Sequence, residues 1–229
     1  MLATTTPAWT LTALVATARA AKTVARIDLT APASGLVVDG VDNLLGVDFR
    51  LHPGTPTEHW VRGTDLTAIY EPDDRRRLRA TAMWRVHPAA VAAYELVVSA
   101  QTSLLHADAT LAVVSDVACE AAWWTTAAGN RWTPLGEPRH LPGESAAVLV
   151  RRPTAAVVVA VHPQDPRRIA VATAGGRARI ECAMFSTAIE KGVILRSRVL
   201  AAVGPAADAE HWAGELCAAF AASPPFLDT

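Results

Sequence analysis

The stretch from His59 to Glu71 puts a His, a Trp, a Tyr, an Arg and two carboxylates within thirteen residues. Basic residues and a strongly alternating segment follow from Arg75 to His87. Those residue types suit saccharide chemistry. Arg62 can donate to sugar hydroxyls and Asp65 can accept from them. Trp60, Tyr70 or Trp84 can offer an apolar ring face. Arg85 lies on the next strand, on the same parity as Arg79 and His87, and such a set could line a groove for an anionic sugar. Epimerisation or lyase chemistry needs an acid and a base on opposite sides of the sugar. His59 with Glu71, or His87, are the candidate catalytic residues. The plainer account of the same residues is an Arg62–Asp65 bridge that ties a loop to a sheet, with the tryptophans in the core.

Other chemistries find no foothold. No glycine-rich phosphate loop, zinc-protease helix or nucleophile elbow occurs in a fitting context, so no cofactor is expected. Seven histidines are scattered, none at the close spacing of a local metal site, and no metal is expected. With 21 basic and 22 acidic residues the net charge is -1, which gives no electrostatic footprint for nucleic acid. No apolar run is long enough to span a bilayer.

Cys119, Cys182 and Cys217 are odd in number and far apart, which implies no disulfide framework and suggests a reducing, cytoplasmic setting. The first twenty residues lack a basic leader segment, although Ala18-Arg19-Ala20 keeps a signal peptide open as the alternative. Neither the oligomeric state nor the presence of an enzymatic activity is legible.

The elements that must position these residues are mostly strands. The hydrophobic fraction of 51% promises a sizeable core. Two strands are expected over 9–17 and 23–30, with an Ala-rich helix across 13–26 as the competitor. Leu36 to Val41 reads as a strand, with Asp42-Asn43 as the turn after it. Leu78, Ala80, Ala82, Trp84 and Val86 share one parity and the polar residues the other, so the two sets lie on opposite sheet faces. Tyr94 to Thr102 is the returning partner. Further strands are expected over 111–114, 117–126, 148–152, 155–161 and 193–203. Trp123 and Trp124 then face opposite ways, and with Trp132 across the Gly129-Asn130 turn they could form a sugar-stacking platform or an ordinary hairpin aromatic pair. Gly175-Gly176 between Ile169–Ala174 and Arg177–Phe185 is a hairpin turn. Trp212, Leu216 and Phe220 recur at spacing four, which predicts a helix over about 206–222 that docks on the sheet containing 193–203 and buries Trp212.

The fold expected is therefore all-β: one domain over 1–229, a large antiparallel β-sandwich of supersandwich-like order with one C-terminal α-helix. Trp60-Val61-Arg62-Gly63-Thr64-Asp65-Leu66, the run of strands, then Ile189-Glu190-Lys191-Gly192-Val193-Ile194-Leu195-Arg196 and a closing helix resemble uncharacterised bacterial proteins. Their order of elements is similar to the galactose-mutarotase-like supersandwich. The resemblance implies that fold and a saccharide ligand. Mutarotases of this class use a His and a Glu around the sugar ring, and neither motif is matched here residue by residue. The function expected is a carbohydrate-binding or carbohydrate-modifying protein; the alternative is a noncatalytic accessory or assembly domain.

Overall fold

The structure, a computed structural model, describes residues 8–20, 22–50, 54–71, 75–126, 131–136, 139–165, 168–185 and 187–224. The chain begins with an antiparallel meander, β1 (Trp9–Thr12), β2 (Val15–Ala20), β3 (Thr23–Asp28), β4 (Leu36–Val38) and β5 (Val41–Leu44). Next come β6 (Gly46–Asp48), β7 (Glu58–Arg62), β8 (Asp65–Tyr70), β9 (Leu78–His87) and β10 (Ala92–Thr102). The middle of the chain supplies β11 (Ala107–Asp108), β12 (Leu111–Ala118), β13 (Ala121–Thr126), β14 (Thr133–Pro134), β15 (Arg139–His140) and β16 (Ser145–Arg151). It ends with β17 (Ala155–Val161), β18 (Arg168–Ala174), β19 (Arg177–Phe185), β20 (Ala188–Ile189), β21 (Leu195–Pro205) and the helix α1 (Ala209–Ala222).

A nine-stranded antiparallel sheet, in the order β14-β13-β16-β17-β21-β10-β9-β8-β7, forms the central layer. The N-terminal five-stranded meander and a second five-stranded sheet, β15-β18-β19-β12-β6, share one core with its inner face. Period two explains that core. Leu66, Ala68 and Tyr70 of β8, Ala80, Ala82 and Trp84 of β9, and Leu96 and Val98 of β10 are all fully buried. Burying each large side chain contributes roughly 1.5–3 kcal/mol. The polar ends of the buried aromatics tie the layers together. Trp84 Nε1 donates to the Leu45 carbonyl at 3.1 Å, and Trp9 Nε1 to that of Thr64 at 3.0 Å.

On one half of the outer face of the central sheet the helix packs. Leu149, Val158, Leu200 and Ala202 pack there under Ala209, Ala213, Leu216, Cys217 and Phe220 of α1. The expected docking of the helix on the β21 sheet is therefore present, but Trp212 is half-buried rather than buried. A spacing of four drifts by about 40° per step on a helix of 3.6 residues per turn. The stripe Ala209, Ala213, Leu216 and Phe220 faces the sheet, and Trp212 falls on its flank. No helix among the described residues is long and apolar enough to cross a membrane.

Three strand boundaries differ from expectation. The first strand breaks at Ala13, whose φ is +51°, so 9–28 forms three strands instead of two. The turn after β4 is Asp39-Gly40, with φ of +44° and +74°, the pair a tight hairpin needs, and Val41 already belongs to the next strand. The break in 111–126 falls at Cys119-Glu120, after β12. The Gly175-Gly176 hairpin is as expected, with φ of +56° and +71°. The turn expected at Gly129-Asn130 and the strand end expected at Pro72-Asp73-Asp74 lie outside the described residues.

Candidate functional site

Among the described residues no helix lies over the other half of the outer face. Hairpin register brings its side chains into rows, because Cα partners across antiparallel strands point to the same face. One row runs Arg62, Asp65, Arg85, Glu95 across β7 to β10. The next runs Trp60, Thr67, Met83, Val97 and reaches Arg198 on β21. A third runs Glu58, Ile69, Thr81, Ser99, Arg196. Trp60, Arg62, Asp65, Thr67, Thr81 and Ser99, with Arg196 at the far end, line a shallow groove of about 190 Å³. Trp60 is 42% exposed, an unusual position for a ring of that size.

Charges on this face are largely paired. Arg85 grips Asp65 with both ends of its fork, Nε to Oδ1 and Nη2 to Oδ2, each at 2.7 Å. The register sets Arg62 opposite Asp65, but the carboxylate is taken by Arg85, so the expected Arg62–Asp65 bridge is replaced by one a strand further in. Arg62 makes no side-chain hydrogen bond or ion pair among the described residues. Arg79 bridges Glu58 and Glu71, at 2.9 Å to each.

Deeper along the first row, Glu95 is buried and accepts from Arg198 Nε at 2.6 Å, with His87 Nδ1 3.9 Å away. Burial pushes the Glu95 carboxyl up, but the approach of His87 and Arg198 outweighs it and holds the group below the ordinary carboxylate value.

The candidate residues thus divide. Trp60, Arg62, Asp65 and Arg85 converge on the bare half-face. Tyr70 lies on the inner face, fully buried, with its hydroxyl donating to the Leu29 carbonyl at 2.9 Å, which takes it out of the groove. Alternation along β7 sends His59 to the face opposite Trp60. Glu71 is held by Arg79 beyond the end of β8, and His87 sits beside Glu95, so His59, Glu71 and His87 are not brought together. Trp123 and Trp132 pack against the helix-side core instead of forming a platform, and Trp132 Nε1 donates to the Glu210 carbonyl at 3.0 Å. No cluster of metal-ligating side chains occurs among the described residues.

Thr67, Thr81, Ser99 and Arg196 were not singled out from the sequence. The hydroxyls follow from hairpin register once β8, β9 and β10 are paired. Arg196 has no local signal, because β21 joins β10 from about a hundred residues further along the chain.

No known protein-family model matches the chain, and no curated protein matches it. Among solved structures it is similar to a mutant of the heparan sulfate lyase HepC from Pedobacter heparinus, at 10% identity over 83% of this chain and 35% of that one, with a TM-score of 0.48. It is also similar to a heparinase III gene product, at 10% identity over 74% of this chain and 24% of that one, with a TM-score of 0.38. The chain spans about a third of the first structure's length and about a quarter of the second's. At such TM-scores neither likeness carries an argument about activity or ligand.

Proposed function

We propose that this chain is a saccharide-binding β-sandwich of galactose-mutarotase-like, supersandwich order, with its ligand laid on the bare half of the outer sheet face. The carrying observation is Trp60, exposed beside the hydroxyls of Thr67, Thr81 and Ser99 and the guanidinium of Arg62. An indole face covers the apolar side of a sugar ring while hydroxyls and guanidinium bond its rim. The groove is smaller than the clefts of roughly 300–1,000 Å³ that enclose drug-sized ligands. It suits a ring resting on the sheet.

Binding is favoured over reaction by the state of Asp65. It is the only carboxylate lining the groove among the described residues, and the Arg85 fork already engages both of its oxygens. Its remaining lone pairs can still accept from a sugar hydroxyl. The noncatalytic accessory role stands as the neighbouring reading and shares this site.

A glycan array followed by calorimetry on the best ligand tests the proposal. Trp60→Ala should lower affinity at least about tenfold, the effect of losing roughly 1.4 kcal/mol of ring contact. Its melting temperature should stay near the parent value because the ring is half in water. Undiminished binding in Trp60→Ala, or no saccharide bound by the parent, removes the proposal.

A further inference from the structure

A second cleft lies between hairpin tips of two sheets. One wall is the β2–β3 and β4–β5 turns, with Lys22, Thr23, Asp39 and Val41. The other is the segment before β10, the β16–β17 turn and the end of β21, with Val91, Arg152 and Val203. Its volume is about 750 Å³, within the range of small-molecule sites.

We propose that this cleft binds a small amphipathic carboxylate, with its head on Lys22 and Arg152 and its apolar tail along Val41, Val91 and Val203. Three observations support it. First, the wall is apolar in its depth, where Val41 is 2% exposed and Val91 and Val203 are partly buried. Second, two cations border it against one carboxylate, and that carboxylate already accepts from the Val24 amide at 3.1 Å through Oδ1. Third, Arg152 spans the two walls, with Nη2 donating to the Gly40 carbonyl at 3.2 Å. One contact leaves the rest of the five-donor fork for an anion.

The pattern selects a ligand of one charge sign. A cationic amphiphile would meet Lys22 and Arg152, and a neutral one would gain only the tail contact. A dianionic phosphate head would find no donors for its remaining oxygens among Val41, Val91 and Val203.

Isothermal calorimetry with hexanoate, octanoate, octanamide and octylamine tests this on the whole chain. Octanoate should bind at one site per chain, more tightly than hexanoate by up to about fourfold per methylene. Octanamide should bind at least about tenfold more weakly and octylamine not measurably. Lys22→Gln and Arg152→Gln should each weaken octanoate about tenfold, with unchanged circular dichroism. Lys22 is exposed, so its variant should fold even if Arg152→Gln does not. Octylamine binding as well as octanoate, wild-type affinity in Lys22→Gln, or no saturable octanoate binding by the parent each overturns the proposal. Retained saccharide binding by Lys22→Gln separates this site from the groove.

Discussion

Arg198 of β21 reaches Glu95 on the neighbouring strand β10 at 2.6 Å, and both side chains are nearly closed to water. The same guanidinium donates through Nη2 to Ser223 Oγ and through Nη1 to the Pro224 carbonyl, each at 2.8 Å, and lies 5.0 Å from the centre of the Phe220 ring. One side chain therefore joins β10, β21 and the end of α1. Removing one partner leaves the other charge buried alone, so Arg198→Met should cost about 3–5 kcal/mol of unfolding free energy. Pairing it with Glu95→Gln removes the orphaned charge and should recover part of that loss. Urea titrations of the two single variants and the double variant measure it; additive losses would contradict the pairing.

Acid should loosen this region in two stages. His162 is buried against Phe220, with ring centres 5.3 Å apart, and its Nε2 lies 3.3 Å from the Ser223 carbonyl. Burial, and then the charge of Arg198, hold it below its ordinary value of 6.5. The unfolded chain therefore takes up a proton there first, and stability falls as pH drops from about 6.5 towards the lowered folded value. Glu95 adds its own loss further down. Its contribution is complete above 4.5, its ordinary value, and disappears as pH falls through the lowered folded value. Stability measured against pH should thus slope in both windows. His162→Gln should flatten the upper one and Glu95→Gln the lower. An unchanged profile in either variant would show that the group does not differ between the two states.

Two buried tyrosines should respond oppositely to loss of their hydroxyls. Tyr70 donates to the Leu29 carbonyl at 2.9 Å, and burial pushes its phenol well above the ordinary range. Tyr70→Phe forfeits a made bond and leaves that carbonyl short, which should cost about 1–2 kcal/mol. The Tyr94 hydroxyl meets only Thr23, at a geometry short of a full hydrogen bond. Tyr94→Phe removes a desolvated group and should be neutral or stabilising by about 1 kcal/mol. Thermal unfolding of the two variants decides it, and equal losses would refute the distinction.

The legible parts of this fold were those written in local periodicity. Alternation along β9 placed Trp84 in the core and Arg85 outside, as found. The paired glycines at 175 and 176 marked their hairpin, because positive φ costs glycine little. The turn at Ala13 was hidden for the converse reason: nothing in an alanine announces φ of +51°. In the groove, Trp60, Arg62, Asp65 and Arg85 were visible because β7, β8 and β9 are consecutive hairpins. Tyr70 was placed with them by nearness in sequence, yet strand parity puts it on the other face from Trp60, opposite Ala80. The Arg198–Glu95 pair could not be read at all. It depends on β21 pairing with β10, which brings together residues 103 apart in the sequence.

The same rule of parity and drift bears on the helix, where the two aromatic anchors should not weigh equally. Phe220 is 1% exposed, edge-on to His162 and beneath Arg198, so its truncation opens a cavity inside a packed interface. Phe220→Ala should cost about 3–5 kcal/mol. Trp212 is half-buried, and its Nε1 donates to the Pro205 carbonyl at 3.0 Å. Its ring lies flush on Gly204, where an added Cβ would come within 2.8 Å of the indole. Trp212→Ala exposes a surface already partly wet and should cost less, about 1–3 kcal/mol. Gly204→Ala tests the contact from the other side. It should destabilise by about 1–3 kcal/mol in the parent, from the crowding of ring and methyl. In a Trp212→Ala background the ring is gone, and the cost should shrink to the residual contact with Val91 at 2.9 Å. A double-mutant cycle by denaturant unfolding measures the coupling. A Gly204→Ala cost that is the same in both backgrounds would mean that the indole does not rest on the glycine, and Trp212 would then be free to serve a partner instead of the sheet.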